Sequence, residues 1–269
     1  MNLSGEAQPI AEAFVAARRD ARALESYPGQ QPTDLSAAYR IQDMALAIDG
    51  RAVIGWKVGR INPPADAALG ANRLSGPIFA DSVVHAADDD GPDMPVFTGG
   101  FAAAEAEILL HLAPGWNGEV PETDADTRAL LDDVRIGIEI ASSPYPGINA
   151  DGPPVTVSDY GNNAGLVIGA SLDQWRELDL CAILVRMIID GTVAGEATAA
   201  TMLDGPYGAV RFLLGNLKAR GIDASKGLWI SSGAITGVHP VLVGQHVTAQ
   251  FDGHGIVTCR ITAAQGQND

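Results

Sequence analysis

The sequence predicts an α+β fold, with a helical N-terminal region over residues 1–75 and a β-rich domain over residues 76–269. Three observations carry this. Two early stretches, 6–25 and 33–50, space their apolar residues as amphipathic helices do. From about residue 76, short apolar runs alternate with turn signals. Two Asp-Gly pairs, Asp190-Gly191 and Asp252-Gly253, sit between alternating segments, which is a strong hairpin signal.

In chain order, the first helix carries Arg18, Arg19 and Asp20, which interrupt any apolar core and exclude a signal peptide. In the second helix, Thr33 or Ser36 caps the start and Gly50 ends it. RAVIGWKVGR (51–60), with β-branched residues and glycines, reads as a strand. Further strands are expected over 103–112, 134–141, 164–169, 182–189, 228–232 and 246–262. One helix interrupts them, DGPYGAVRFLLGNLKARG. Asp204 would cap it, Val210, Leu213, Leu214 and Leu217 would face the core, and Gly221 would end it. Residues 86–98 and 116–126 read as polar loops.

Composition bounds the function. A net charge of −16 argues against nucleic acid and anionic membranes as partners, since both require basic patches. No run approaches the ~20 apolar residues of a membrane span; CAILVRMII is broken by Arg186. The two cysteines, Cys181 and Cys259, form no metal-ligand cluster and read as reduced thiols. A cytoplasmic protein is expected.

The stretch FAAAEAEILLHLA (101–113) places Glu105 and Glu107 inside an apolar run, where an unpaired carboxylate is costly. On a strand the two share a face; on a helix they do not. Gly99-Gly100 favours a strand start, the alanines a helix, and the sequence leaves both open. VRIGIEIASS puts Val134, Ile136, Ile138 and Ile140 on one face of a strand, and Arg135, Gly137 and Glu139 on the other. Gly137 beside Glu139 leaves space for an approaching group. Three carboxylates around open space suit a hard divalent cation; equally, all three could face water. His111 is in phase with the glutamates but reads better as structural, and Arg135 reads as lying at a wet strand end.

Several segments, in order along nearly the whole chain, carry a resemblance. They are AYRIQ (38–42), GWKVG (55–59), LGANRLSGPIFADS (69–82), EAEI (105–108), GIEIAS (137–142), VSDYGNNAGLVIG (157–169), the 208–221 helix and ISSGAITGVHPVLVGQHVTAQFDGHGIVTCRI (230–261). The chain thereby resembles the 2-keto-4-pentenoate hydratase / 4-oxalocrotonate decarboxylase family of the fumarylacetoacetate hydrolase superfamily. The resemblance implies a fumarylacetoacetate-hydrolase-like fold, a rolled β-rich catalytic domain behind a helical N-terminal region. It implies that Glu105, Glu107 and Glu139 hold Mg²⁺ (or Mn²⁺), with waters and substrate completing the octahedron. Lys57, on composition alone a snorkelling surface lysine, becomes the active-site lysine. Asp159 becomes a residue orienting a ligand water or Lys57, against the alternative of a turn residue before Gly161. Asn162 and Asn163 are weaker candidates. Ser232, Gly233 and Thr236 fall in a loop that approaches the substrate carboxylate. A homo-oligomer is implied.

The expected activity is a lyase reaction, hydration of a 2-hydroxy-2,4-dienoate to a 4-hydroxy-2-oxo acid in aromatic catabolism. The rivals are decarboxylation of a 4-oxalocrotonate-type 2-oxo-enedioate and a non-catalytic binding relative. Acylpyruvate hydrolysis would need a His/Glu pair in 1–75, which contains no histidine. The chain departs from the family twice. Ser142, Ser143 and Pro144 stand where many members carry Asp-Ser-Arg, and Leu74, Ser75 and Gly76 where many carry Asp-Phe-Gly. Asp81 survives nearby.

Overall fold

A computed structural model describes residues 3–86 and 91–266, so residues 87–90 of the expected 86–98 loop lie outside it. Two helices lead, α1 (Leu3–Arg19) and α2 (Leu35–Asp49). Asp34, not Thr33 or Ser36, caps α2. Its backbone is extended (φ −141°, ψ 162°) and its carboxylate accepts from the Ala37 N–H at 2.8 Å. Gly50 ends the helix at φ 71°.

The chain continues through β1 (Val53–Arg60), α3 (Ala65–Leu69), β2 (Arg73–Phe79), β3 (Val83–His85), β4 (Asp93–Val96), β5 (Phe101–Leu112), α4 (Asp124–Ala129) and β6 (Leu131–Ser143). It then runs through α5 (Pro153–Ser158), β7 (Asn163–Ser171), β8 (Leu184–Ile189), β9 (Thr192–Thr198), α6 (Gly205–Arg220) and β10 (Leu228–Ser231). The short β11 (His239–Pro240), β12 (His246–Phe251) and β13 (Gly255–Ala263) complete it. One sheet has the order β2-β1-β10-β5-β6-β7-β3, with β11 pairing β5; the second has the order β4-β13-β12-β8-β9. The expected boundary at residue 75 falls inside β2, and β1 sits between β2 and β10. The first 75 residues therefore supply both the helices and an inner strand of the main sheet.

The EAE run is a strand. β5 pairs antiparallel with β6 along its length, setting Ala106 against Ile138, Ile108 against Ile136 and Leu110 against Val134. That face enters the main core, where it meets Val185, Met187, Phe251, Val257 and Ile261 of the second sheet. Val210, Leu213, Leu214 and Leu217 of α6 join it, all fully buried as expected. Burying each such side chain is worth about 1.5–3 kcal/mol, which overrides the helix propensity of three alanines.

The Asp190-Gly191 hairpin forms with both residues left-handed (φ 48° and 76°), as a two-residue primed turn requires. The 246–262 run is two strands, because residues 252–254 turn the chain back and pair Phe251 with Gly255. Asp204 does not cap α6; its carboxylate is taken by Arg73 and Arg211. The expected 116–126 loop is partly buried: Trp116 donates to the Glu119 carbonyl, and Thr123 caps α4.

Helices α1 and α2 pack Ile10, Phe14, Ile41 and Ala45 with Phe79, Ile148, Val155 and Tyr160. The buried Gln42 of AYRIQ donates to the carbonyls of Ser75 and Val157 and accepts from Arg220, so it ties α2 to β2. These helices brace the segment that carries the site asparagines.

Candidate active site

On the β5 face opposite the core, Glu105 and Glu107 point toward Glu139 of β6, which is directly opposite Glu105 in the register. Their carboxylates each offer an oxygen, all within 4.8 Å of one another, and the residues are 4%, 0% and 0% exposed. The reading that all three face water is excluded. Gly137 opposes Glu107, but the room it leaves is taken by a protein group: a Cβ there would meet Leu109 Cδ1 at 2.3 Å. His111 pairs with Asp132 at 2.6 Å and packs its ring, tilted, against Trp229. Arg135 pairs with Asp133, at the end of the strand.

Three side chains meet the cluster from other elements. Lys57 of β1, itself buried, places Nζ 3.3 Å from Glu139 Oε2 and donates to Asn162 Oδ1 at 3.2 Å. Asn163 donates to Glu139 Oε1 at 2.9 Å. Ser231 and the Gly233 N–H both donate to Glu107 Oε2. Ser232 presents its buried Oγ without a hydrogen-bond partner. Lys57 is near enough to Glu139 Oε2 for an ion pair but not aligned for a hydrogen bond. Glu139 Oε2, Glu107 Oε1 and Asn163 Oδ1 thus have no hydrogen-bond partner.

One ammonium faces three carboxylates. Burial pushes Glu105 up to about 7, with Lys57 opposing and Glu139 adding to the shift. Burial, then Glu139 and Glu105, drive Glu107 well above the usual carboxylate range. For Lys57, burial acts downward, yet the carboxylates, Glu139 foremost, hold it above its ordinary value. Orphaned oxygens and surplus buried negative charge are expensive without a counter-ion. Hard oxygen donors in this number fit a hard divalent cation.

The asparagines are delivered by unusual backbone. Tyr160, Gly161 and Asn162 are all left-handed, at φ 56°, 61° and 58°. For a bulky tyrosine this is an outlier that its surroundings must enforce. The ring stands edge-on to Phe79 at 5.1 Å, and its hydroxyl donates to Asp49 at 3.0 Å. This turn carries the side chains that hold Lys57 and Glu139.

Asp159 does not reach Lys57. Its carboxylate accepts from Arg18 of α1, from Nη2 at 3.0 Å, and from Ser143 Oγ at 2.6 Å. Arg18 also donates to the Ser142 and Asn163 carbonyls, so the pair locks α1 onto the segment behind the asparagines. Both members are nearly inaccessible. Arg18→Met strands a buried carboxylate and is expected to cost about 3–5 kcal/mol in a denaturant titration. A change within ±0.5 kcal/mol would show the pair to be energetically idle.

The cluster opens onto a cavity of about 780 Å³ lined by Lys57, Glu105, Asn162, Ser232, Gly233 and Thr236, among others. Arg60, Arg73 and Asn149 also line it. Arg73 lies within the 69–82 segment quoted above but was not singled out there, and the pairing of β1 with β2 and the path of the 144–153 loop bring the three to the cavity. Asp81 is half-exposed, lies 3.5 Å from Arg51, and borders a different hollow of about 390 Å³. Glu105 is the one carboxylate among the lining residues.

No protein-family model matches the chain. It is 26% identical over 261 residues to 2-keto-4-pentenoate hydratase of Burkholderia vietnamiensis (strain G4), covering 97% of this chain and 98% of that protein. It is 28% identical over 218 residues to 4-oxalocrotonate decarboxylase of Pseudomonas sp. (strain CF600), covering 78% of each. Its fold matches the 4-oxalocrotonate decarboxylase from Pseudomonas putida G7, complexed with magnesium and adipate. That match has a TM-score of 0.78 at 23% identity and covers 96% of this chain and 97% of that one. Among the described residues no helix is long and apolar enough to cross a membrane. The chain is thus similar, over most of its length, to lyases of two kinds, 2-keto-4-pentenoate hydratases and 4-oxalocrotonate decarboxylases, and it has the fumarylacetoacetate-hydrolase-like fold.

Proposed function

We propose that the chain hydrates a 2-hydroxy-2,4-dienoate to a 4-hydroxy-2-oxo acid, with Mg²⁺ or Mn²⁺ held by Glu105, Glu107 and Glu139. The observation that carries this is the buried trio of carboxylates with unpartnered oxygens at the floor of the cavity. When bound, the ion supplies Lewis acidity to a 2-oxo acid that chelates it. The protein's own groups then divide the remaining work. Lys57, a cation throughout the neutral range, donates to the substrate carboxylate and is a poor proton acceptor. Asn162 keeps its ammonium aimed. Ser232 Oγ, buried without a partner, donates to a substrate oxygen. Asp159, fixed by Arg18, acts as a positioning residue through the 160–163 segment.

A second reading, decarboxylation of a 2-oxo-enedioate, is favoured by one feature. Leu74 and Ser75 give the cavity no carboxylate, Ser75 being bonded to Asn216, and Asp81 lies outside it. A hydratase needs a group to activate water, and a decarboxylase does not.

The test is a spectrophotometric assay with 2-hydroxypenta-2,4-dienoate and with 4-oxalocrotonate, each with Mg²⁺ and with chelator. Metal-dependent loss of the diene without CO₂ supports hydration; CO₂ release from 4-oxalocrotonate supports the second reading. Lys57→Met is expected to lower kcat/KM on the active substrate by roughly 10–10²-fold, the loss of one charge-assisted hydrogen bond of about 1.5–3 kcal/mol. Full activity in that variant, or turnover undiminished by chelator, would overturn the assignment.

A further inference from the structure

The Lys57 ammonium has two oxygens within reach, Asn162 Oδ1 at 3.2 Å and Glu139 Oε2 at 3.3 Å. Asn162 sets how the ammonium divides between them, and Asn162 is itself held from outside the cluster. Its amide nitrogen donates to Asn149 Oδ1 at 2.9 Å, the one acceptor that nitrogen has among the described residues. The oxygen end of the amide then faces Lys57, as it must, because an ammonium donates and accepts nothing. Thr156 Oγ1 also donates to Asn149 Oδ1, at 3.3 Å. All four residues line the cavity. Asn149 alone among them is exposed, and its oxygen bonds to Asn162 and Thr156 rather than to any group of the cluster.

Exposure does not leave Asn149 loose, because its loop is pinned on both sides. Ile148 is fully buried against the N-terminal helices, and its carbonyl accepts from Thr156 Oγ1 at 2.9 Å. Asp151 accepts from Gln31 at 2.6 Å and from the Tyr145 hydroxyl at 2.5 Å. Without the Asn149 oxygen, the Asn162 amide is free to turn its NH2 toward Lys57, where donor would meet donor. The ammonium would then settle on Glu139 Oε2, which has no hydrogen-bond partner and lies in a buried setting where such an ion pair is strong. We propose that Asn149 is a positioning residue: acting through Asn162, it holds the Lys57 ammonium off Glu139 and so keeps that carboxylate open to a divalent cation. The inference rests on the reading above that Glu139 is a metal ligand.

Calorimetric titration of the full chain with Mn²⁺ alone, in the absence of substrate, tests it. Asn149→Leu keeps the side-chain bulk and removes the oxygen. It should weaken Mn²⁺ binding about tenfold, the low end of what partners that orient metal ligands are worth. Because Asn149 is exposed, the metal-free melting temperature should stay within about 2 °C of wild type. Asn162→Gly should weaken Mn²⁺ binding at least as much, and glycine accepts the left-handed φ of 58° there without strain. Adding Asn149→Leu to Asn162→Gly should then change the affinity by less than about twofold, since the first residue acts only through the second. A residue that merely stiffened the loop would add its loss in both backgrounds. Wild-type Mn²⁺ affinity in Asn149→Leu, or additive losses in the double variant, would overturn the inference while sparing the metal site. Absence of Mn²⁺ binding in the wild type would sink that reading and this one together.

Discussion

Glu105→Gln is expected to make the metal-free protein more stable at pH 8 while removing its metal affinity and its turnover. The two effects have one cause. Glu105 sits within 4.8 Å of two other buried carboxylates with one ammonium to share, and burial raises its folded pKa to about 7 from an ordinary 4.5. The folded state therefore holds more protons than the unfolded state between these values, so stability falls as pH rises through that window. Below about 4.5 no penalty remains; above about 7 it is complete, on the order of 3 kcal/mol. The amide keeps the shape and carries no charge, so the variant's advantage should be greatest at pH 8 and fade toward pH 5. For a chain of this size it corresponds to roughly 5–10 °C in the melting temperature of the metal-free protein. The same change deletes a ligand, and Mn²⁺ affinity should drop by more than about a hundredfold, since even outer partners of ligands cost 10–100-fold. Adding metal at pH 8 should stabilise the wild type and hardly move the variant. A variant less stable than wild type at pH 8, or one retaining metal affinity, would show that the carboxylates are balanced without an ion.

The second large effect is steric, at Gly76, which stands opposite Lys57 on the β1–β2 ladder. A Cβ on Gly76 would lie 1.9 Å from the Tyr160 carbonyl oxygen and 2.8 Å from the Gly161 nitrogen. Both are backbone atoms, so no rotamer change relieves the clash. Either β2 or the left-handed 160–162 segment must move, and that segment presents Asn162 to Lys57. Gly76→Ala should cost more than about 4 kcal/mol or yield insoluble protein. Any soluble fraction should bind a 2-oxo acid more weakly. Gly215→Ala, within α6 with nothing near its Cβ, is the matched control; it should be neutral or stabilise by roughly 0.5–1 kcal/mol. Thermal melts of the two variants read this directly, and equal melting temperatures would refute the close approach.

Much of this site could be read from residues alone, and the reason is periodicity. A strand alternates its faces, so Glu105 and Glu107 had to share a side once β5 was a strand, and Glu139 joins them because the β5–β6 register sets it opposite Glu105. The apolar alternation in β6 made that visible. The helix α6, its four core leucine and valine positions and its glycine end were legible for the same reason. What stayed hidden depended on partners distant in sequence. Asp204 has the residue type of a cap, but Arg73, more than a hundred residues earlier, claims its carboxylate. Asp159 lies in a family-like motif, but Arg18 of the first helix claims it. Gly137 signalled an approach, and the approaching group is Leu109 of the neighbouring strand.

By itself, then, the sequence determined which residue types lie on which face, because side-chain alternation and helical spacing are local geometry. It also determined that three acids share an apolar setting where charge is costly. Only the tertiary structure decided that β1 enters the main sheet and brings Lys57 over Glu139, that three left-handed residues deliver two asparagines, and that Arg60 and Arg73 meet across a ladder at the cavity's outer end. Those juxtapositions come from strand register and loop closure between segments as far apart as Lys57 and Ser231, and no local pattern encodes them.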